Sequence, residues 1–265
     1  MKTIIRIIFL LIISVQWSCE KVVDLKFNDN ELKYVIEGTI TNEPGNCKVY
    51  ISETKAFGDD NVFNGISGAS VKIETKGNTI VLTETGKGIY ETTAINGTPG
   101  ETYNLTVNIK GELFKASSTM PQAVPFMDFT LKPKDFDSAR VTPMIKFKDP
   151  LETKNYYWFQ QYVNDKLQKK YEVMNDEFTT GQEVNDYLVF ENDTKNKSLN
   201  FKKGDKLTAV MHSIDPAVYT YLFSLFGANG SDNGAAPSNP LSNISGGALG
   251  FFSAHTVQQK TLTIQ

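Results

Sequence analysis

Apolar and polar residues alternate along most of this chain. The cleanest run sets Tyr103, Leu105, Val107 and Ile109 against Thr102, Asn104, Thr106 and Asn108, a period of two that puts one set on each face of a β-strand. Tyr34, Ile36 and Ile40 share a face ahead of the turn Asn42-Glu43-Pro44-Gly45, and Cys47, Val49 and Ile51 then alternate with Lys48, Tyr50 and Ser52. Val71 and Ile73 alternate with Lys72 and Glu74 before Lys76-Gly77-Asn78 turns the chain into Ile80 to Thr83. Lys110-Gly111 reads as a hairpin tip leading to Glu112 to Thr119. About seven short strands, each with one polar face, predict an antiparallel β-sandwich over residues 32–122.

Pro121, Pro125 and Pro133 interrupt the chain next, which places a domain boundary near 120–126 and a second β-rich domain over 123–265. There Val141, Ile145 and Phe147 alternate, and Tyr156-Tyr157-Trp158-Phe159 opens a strand with aromatics on both faces. Core packing is the expectation for Tyr156 and Trp158, with a sugar-stacking platform as the alternative. Leu207, Ala209 and Met211 continue the alternation opposite Thr208, Val210 and His212. One helix is predicted, over 216–226: Asp215 can cap the free amides, Pro216 suits the first helical position, Val218, Leu222 and Leu225 fall on one side, and Gly227 is expected to end it. Such a helix is short enough to plug one end of a sandwich or barrel. Residues 227–247, rich in Gly, Asn and Ser, read as a long loop with almost nothing to bury. Ala248 to Phe252 and Thr256 to Ile264 then read as two closing strands. The fold class expected is mainly β, two antiparallel sandwich or barrel-like domains, the second with one short helix.

The amino terminus does not fit this pattern. A short basic start with Lys2 and Arg6 precedes the apolar run Ile7 to Ile13, and Cys19 follows the small residue Ser18 at cleavage distance. Residues 1–18 thus read as a secretory leader too short to span a bilayer. Cys19 would become the first mature residue, positioned for lipid attachment, with residues 19–31 as a tether. The competing reading is a plain leader with an incidental cysteine. Loss of Lys2 and Arg6 moves the formal charge from −3 to about −5, and without a basic stripe nucleic-acid binding is disfavoured. Cys47, the only other cysteine, falls on the apolar side of its strand and reads as a buried small hydrophobe.

Two resemblances follow from particular residues. Ser67-Gly68-Ala69-Ser70-Val71-Lys72-Ile73, then Gly88-Ile89-Tyr90 and Gly100-Glu101-Thr102-Tyr103, resemble carboxypeptidase-regulatory-like and transthyretin-like sandwich modules, through turn glycines and core positions. Asn239-Pro240, Ser242 through Phe252, Tyr34-Val35-Ile36-Glu37-Gly38 and Ser213-Ile214-Asp215 are similar to a Bacteroidota lipoprotein family, the domain of unknown function 4249. The resemblance implies an outer-membrane lipoprotein encoded beside a TonB-dependent transporter, with no established catalytic residues. It draws attention to Asn239, Pro240, Asn243, Ser245, Gly246 and Gly247 as a partner-contact loop.

No motif for metal, phosphate or nucleophilic catalysis stands out. His212 and His255 are the only imidazoles; a hydrolase using His255 with Ser245 or Ser253 would need an orienting acid that no motif identifies. Asp59-Asp60-Asn61 and Asp135-Phe136-Asp137 lack the full ligand series of a calcium loop. Asp137-Ser138-Ala139 fits a short O-glycosylation pattern at Ser138. The expectation is a non-enzymatic envelope lipoprotein without a cofactor, held to a membrane by lipid and serving a TonB-dependent transporter as accessory or ligand-binding partner; the alternative is a structural or adhesive surface protein.

Overall fold

In the computed structural model the alternating runs become strands, and residues 32–55, 62–134, 137–190, 201–228 and 239–265 are described. The first half carries β1 (Tyr34–Thr41), β2 (Cys47–Glu53), β3 (Ser70–Thr75), β4 (Asn78–Val81), β5 (Thr83–Gly86), β6 (Ile89–Thr92), β7 (Thr102–Ile109) and β8 (Glu112–Thr119). The second carries β9 (Phe126–Lys134), β10 (Asp137–Lys148), β11 (Tyr156–Val163), β12 (Lys166–Leu167), β13 (Glu172–Asn175), β14 (Glu183–Tyr187), β15 (Lys206–Ile214), the helix α1 (Pro216–Ala228) and β16 (Leu249–Thr263). The fold is mainly β, with one short helix among the described residues.

One nine-stranded sheet runs through both halves in the order β12-β11-β15-β16-β1-β2-β6-β5, with β13 also on β11. A four-stranded sheet, β4-β3-β7-β8, and a three-stranded sheet, β14-β10-β9, lie against it. The first core includes Ile36, Ile40, Cys47, Val49, Tyr103, Leu105 and Phe252. The second includes Phe147, Tyr157, Phe159, Leu207, Ala209 and Met211. Cys47 is buried, as its alternation implies, and burial pushes its thiol up to about 12.

The two closing strands of the sequence reading are one. Ser253, Ala254 and His255, expected to separate them, are buried and extended, and no turn residue interrupts them. β16 pairs parallel with β1, from Val35 opposite Leu249 to Thr41 opposite His255, and then antiparallel with β15, from Ser213 opposite Thr256 to Lys206 opposite Thr263. The boundary at 120–126 falls between β8 and β9, yet β16 belongs to both halves, and residues 32–265 form one compact unit.

Where β16 pairs with β1, β15 has not yet reached its other edge, and unpaired backbone groups there need partners. Side chains supply them. Ser242 Oγ donates to Gly250 O at 2.8 Å, Asn243 brackets Phe252 by donating to its carbonyl and accepting from its amide at 2.8 and 2.9 Å, and Ala254 N donates to Ser118 Oγ at 2.8 Å. Ser118 in turn donates to Asp215, whose other oxygen accepts from Ala217 N and Val218 N, both at 2.9 Å. Asp215 is thus the helix cap its sequence position implied. Gly227 does not end the helix, which runs to Ala228; a glycine inside a last turn costs about 1 kcal/mol relative to alanine and does not forbid the conformation.

Gly250 has φ +99°, and a Cβ placed there would lie 2.0 Å from Ile36 O, inside the β1–β16 ladder. Gly247 has φ +89° but open space around it. Gly250→Ala should therefore lower stability by about 3 kcal/mol or more, against about 1–2 kcal/mol for Gly247→Ala, which carries the conformational cost alone. Urea unfolding of both variants measures the difference; equal losses would mean that the close approach of β16 to β1 is not rigid.

Candidate functional site

The face of the long sheet turned away from both cores is the floor of an open trough of about 920 Å³. Period-two geometry builds it. On β16 the even positions, such as Phe252 and Ala254, feed the first core, and the odd positions Phe251, His255, Val257, Gln259 and Thr261 line the trough. β15 adds Lys206, Thr208, Val210 and His212, β11 adds Trp158, Gln160 and Tyr162, and β1 adds Glu37, Thr39 and Thr41. Register aligns these into rows: Trp158, His212 and Val257; Gln160, Val210 and Gln259; Tyr162, Thr208 and Thr261. Leu222 and Leu225 of α1, with Tyr171, wall one end.

The centre of that end is a ring cluster. Trp158 stacks on His212 with centroids 4.5 Å apart and planes 25° apart, and His255 meets both edge-on, at 4.9 Å from His212 and 6.0 Å from Trp158. His212 Nε2 lies 3.0 Å from Gln160 Oε1, and His255 Nδ1 lies 2.8 Å from Ser253 Oγ. Burial disfavours the charged imidazolium, so both histidines are held neutral: His212 well below the ordinary value, with His255 adding to the effect, and His255 lowered to about 4. Glu37 keeps its side chain open to solvent on the trough floor, yet the protein around it displaces enough water to push its pKa up. Lys206 pairs with Asp165 at 2.8 Å on the exposed rim. With Glu37, Glu43 and Asp165 against Lys206, the lining is mildly acidic.

The sequence candidates distribute unevenly around this site. Trp158 lines the trough and also packs beside the helix cluster, while Tyr156 packs against Tyr219 at 5.1 Å; the main core takes Tyr157 and Phe159 instead. His212 and His255 come together, but no carboxylate hydrogen-bonds either among the described residues. Ser253 touches His255 but is fully buried, and Ser245 Oγ donates instead to Lys115 O at 2.9 Å. The Asn239 to Gly247 segment, read as part of a loop with almost nothing to bury, is anchored to the first core. Ile244 is buried in the first core because Ser245 bridges to Lys115 of β8 and Asn243 brackets Phe252. Gly246 sits where a Cβ would meet Leu113 O at 2.6 Å. Asn239 and Gly247 are exposed and Pro240 is half-buried. Ser138 lies within β10, with its side chain outside the described residues, as are Cys19, Asp59-Asp60-Asn61, Asp135 and Phe136. The trough floor itself was not singled out. Its signal was the recurrence of amides, hydroxyls and rings on one parity of three strands, visible only once those strands are known to be neighbours.

A family model described as a domain of unknown function (DUF4249) matches residues 20–261, and the chain belongs to that family. No curated protein matches the sequence. Among solved structures, a chain of the "Cytokine receptor complex - Crystal form 1A" is similar at 9% identity and a TM-score of 0.28, covering 86% of this chain and 95% of that one.

Both imidazoles gain a proton near pH 6.5 in the unfolded chain and resist it when folded. Their stabilisation is therefore complete above about pH 6.5 and is lost as the pH falls toward 4. For His255 the loss by pH 4 amounts to about 3 kcal/mol. Urea unfolding between pH 7.5 and 4 should show His255→Asn with a pH dependence flatter than wild type by that amount. The buried acids act alike in both proteins and cancel; parallel curves would contradict the neutral buried imidazole.

Proposed function

We propose that this member of the DUF4249 family is a non-catalytic binding protein of a bacterial cell envelope, anchored by lipid on Cys19, that holds a ligand in the sheet-floored trough and presents it to a TonB-dependent transporter of the outer membrane. The observation that carries the reading is the trough itself: an open concavity of about 920 Å³, of a size that suits a bound small molecule or a chain segment, built on strands rather than on loops. The chemistry of its rings supports holding over transforming. A histidine whose pKa is lowered to about 4 is a poor proton acceptor at neutral pH, and its serine neighbour is fully buried and does not line the trough. The basic start, the apolar run and the small residue before Cys19 support export and acylation. The two or more acyl chains of a lipoprotein terminus suffice for stable membrane residence.

Cys19→Ala should move the protein from the membrane fraction to the soluble fraction, and globomycin should block maturation of wild type. Affinity isolation of the wild-type protein from solubilised outer membranes should co-purify a TonB-dependent transporter. Equal partitioning of wild type and variant would overturn the anchor. Recovery of an envelope polymer and no transporter would replace the accessory role with an adhesive one.

A further inference from the structure

The inference drawn here rests on the trough being a binding site and names the class of ligand it takes. At the end walled by α1, two buried polar atoms have no hydrogen-bond partner among the described residues, Trp158 Nε1 and His212 Nδ1. They belong to cross-strand partners whose rings are stacked, and both residues line the trough. His212 is only 5% exposed. Leaving such atoms unpaired is costly, so the residues that hold them there point to a ligand that pairs with them.

The roles of the two atoms are fixed by their neighbours. His212 Nε2 faces the Gln160 carbonyl oxygen at 3.0 Å, so its proton sits on Nε2 and Nδ1 offers a lone pair. Trp158 Nε1 can only donate. A donor and an acceptor on two stacked rings match the hydroxyl groups of a ligand, each of which can accept from the one or donate to the other. A carboxylate or phosphate would face the Nδ1 lone pair in a trough that carries three carboxylates against one ammonium, and that ammonium is already paired with Asp165. An ammonium could not accept from Trp158. Farther along the floor, Gln160, Gln259, Thr208 and Thr261 both donate and accept, and Val210 and Val257 lie among them. Such an alternation of hydrogen-bonding and apolar positions matches sugar rings, which present hydroxyls at their edges and C–H groups on their faces.

We infer that the trough binds a neutral oligosaccharide, whose hydroxyl groups pair with Trp158 Nε1 and His212 Nδ1.

The test uses the full chain purified in detergent on an array of neutral and uronate-containing oligosaccharides, followed by calorimetric titration with the best neutral binder. A neutral oligosaccharide should bind at least tenfold more tightly than its uronate counterpart. Trp158→Phe, which removes the N–H and keeps a ring, should weaken binding about tenfold, as should Gln259→Ala, whose side chain is exposed and outside both cores. An unchanged thermal midpoint in Gln259→Ala would separate lost contact from lost fold. Binding by no neutral oligosaccharide, equal binding of the uronate form, tighter binding of a neutral hexapeptide run alongside, or undiminished affinity in both variants would each overturn the assignment. Co-purification of a transporter without glycan binding would remove the saccharide and leave the envelope-accessory role standing. Glycan binding without a transporter would do the reverse.

Discussion

The constraint on which the rest of this structure depends is the parity of one strand. β16 is 15 residues long, and its even positions enter first one hydrophobic core and then the other while its odd positions floor the trough. A slip of one residue would move every side chain to the opposite face, sending His255 and Gln259 into the cores and Phe252 into the trough. Burying a side chain the size of Phe252 is worth roughly 1.5–3 kcal/mol, and an unpaired buried imidazole or amide costs about as much again. Register is therefore fixed from both faces at once. Gly250 fixes it from the edge as well, since only a residue without Cβ passes Ile36 O at that distance.

The change of partner along β16 creates a second demand. Its first half has β1 on one side and, among the described residues, no strand on the other, and an open edge would leave backbone groups unpaired in a buried place. Ser242, Asn243 and Ser118 meet that demand with side-chain atoms. This is why a stretch with a loop-like composition is held against β8 and β16, and why Ile244 can be buried there. The same Ser118 links to Asp215, so the cap of the helix and the edge of the strand are satisfied by one continuous chain of hydrogen bonds.

Much of the local structure was legible in the sequence because it depends on neighbours in the chain. The period-two runs, the Lys110-Gly111 hairpin, the burial of Cys47 and the Asp215-Pro216 helix start all rest on contacts within a few residues. What was not legible depends on which strands lie side by side. β1 and β16 are more than 200 residues apart and pair parallel, and nothing local at Tyr34 or Leu249 specifies the other. Trp158 packs against the helix cluster, in keeping with the core packing expected of it, but that the same side chain also lines a trough depends on which strands flank it. Ser253 to His255 read as a break because Ser and His interrupt an apolar run, but polar residues with partners on a buried floor continue a strand as well as valines do.

These constraints bear directly on how the trough can work. The helix that walls its end is fixed at the amino end by Asp215, and farther along Tyr171 donates to Leu222 O at 3.0 Å and Leu241 N donates to Ser224 Oγ at 2.9 Å. Its floor is fixed by a register that two cores enforce. A site held in this way has little freedom left to lose when a ligand arrives, so a smaller share of each contact is spent on ordering the protein. Burial accounts for the neutral histidines. It disfavours the imidazolium and keeps His212 and His255 uncharged, and an uncharged His212 can offer a lone pair on a ring stacked against Trp158. The donor and acceptor pair at the helix-walled end is thus a consequence of the strand register.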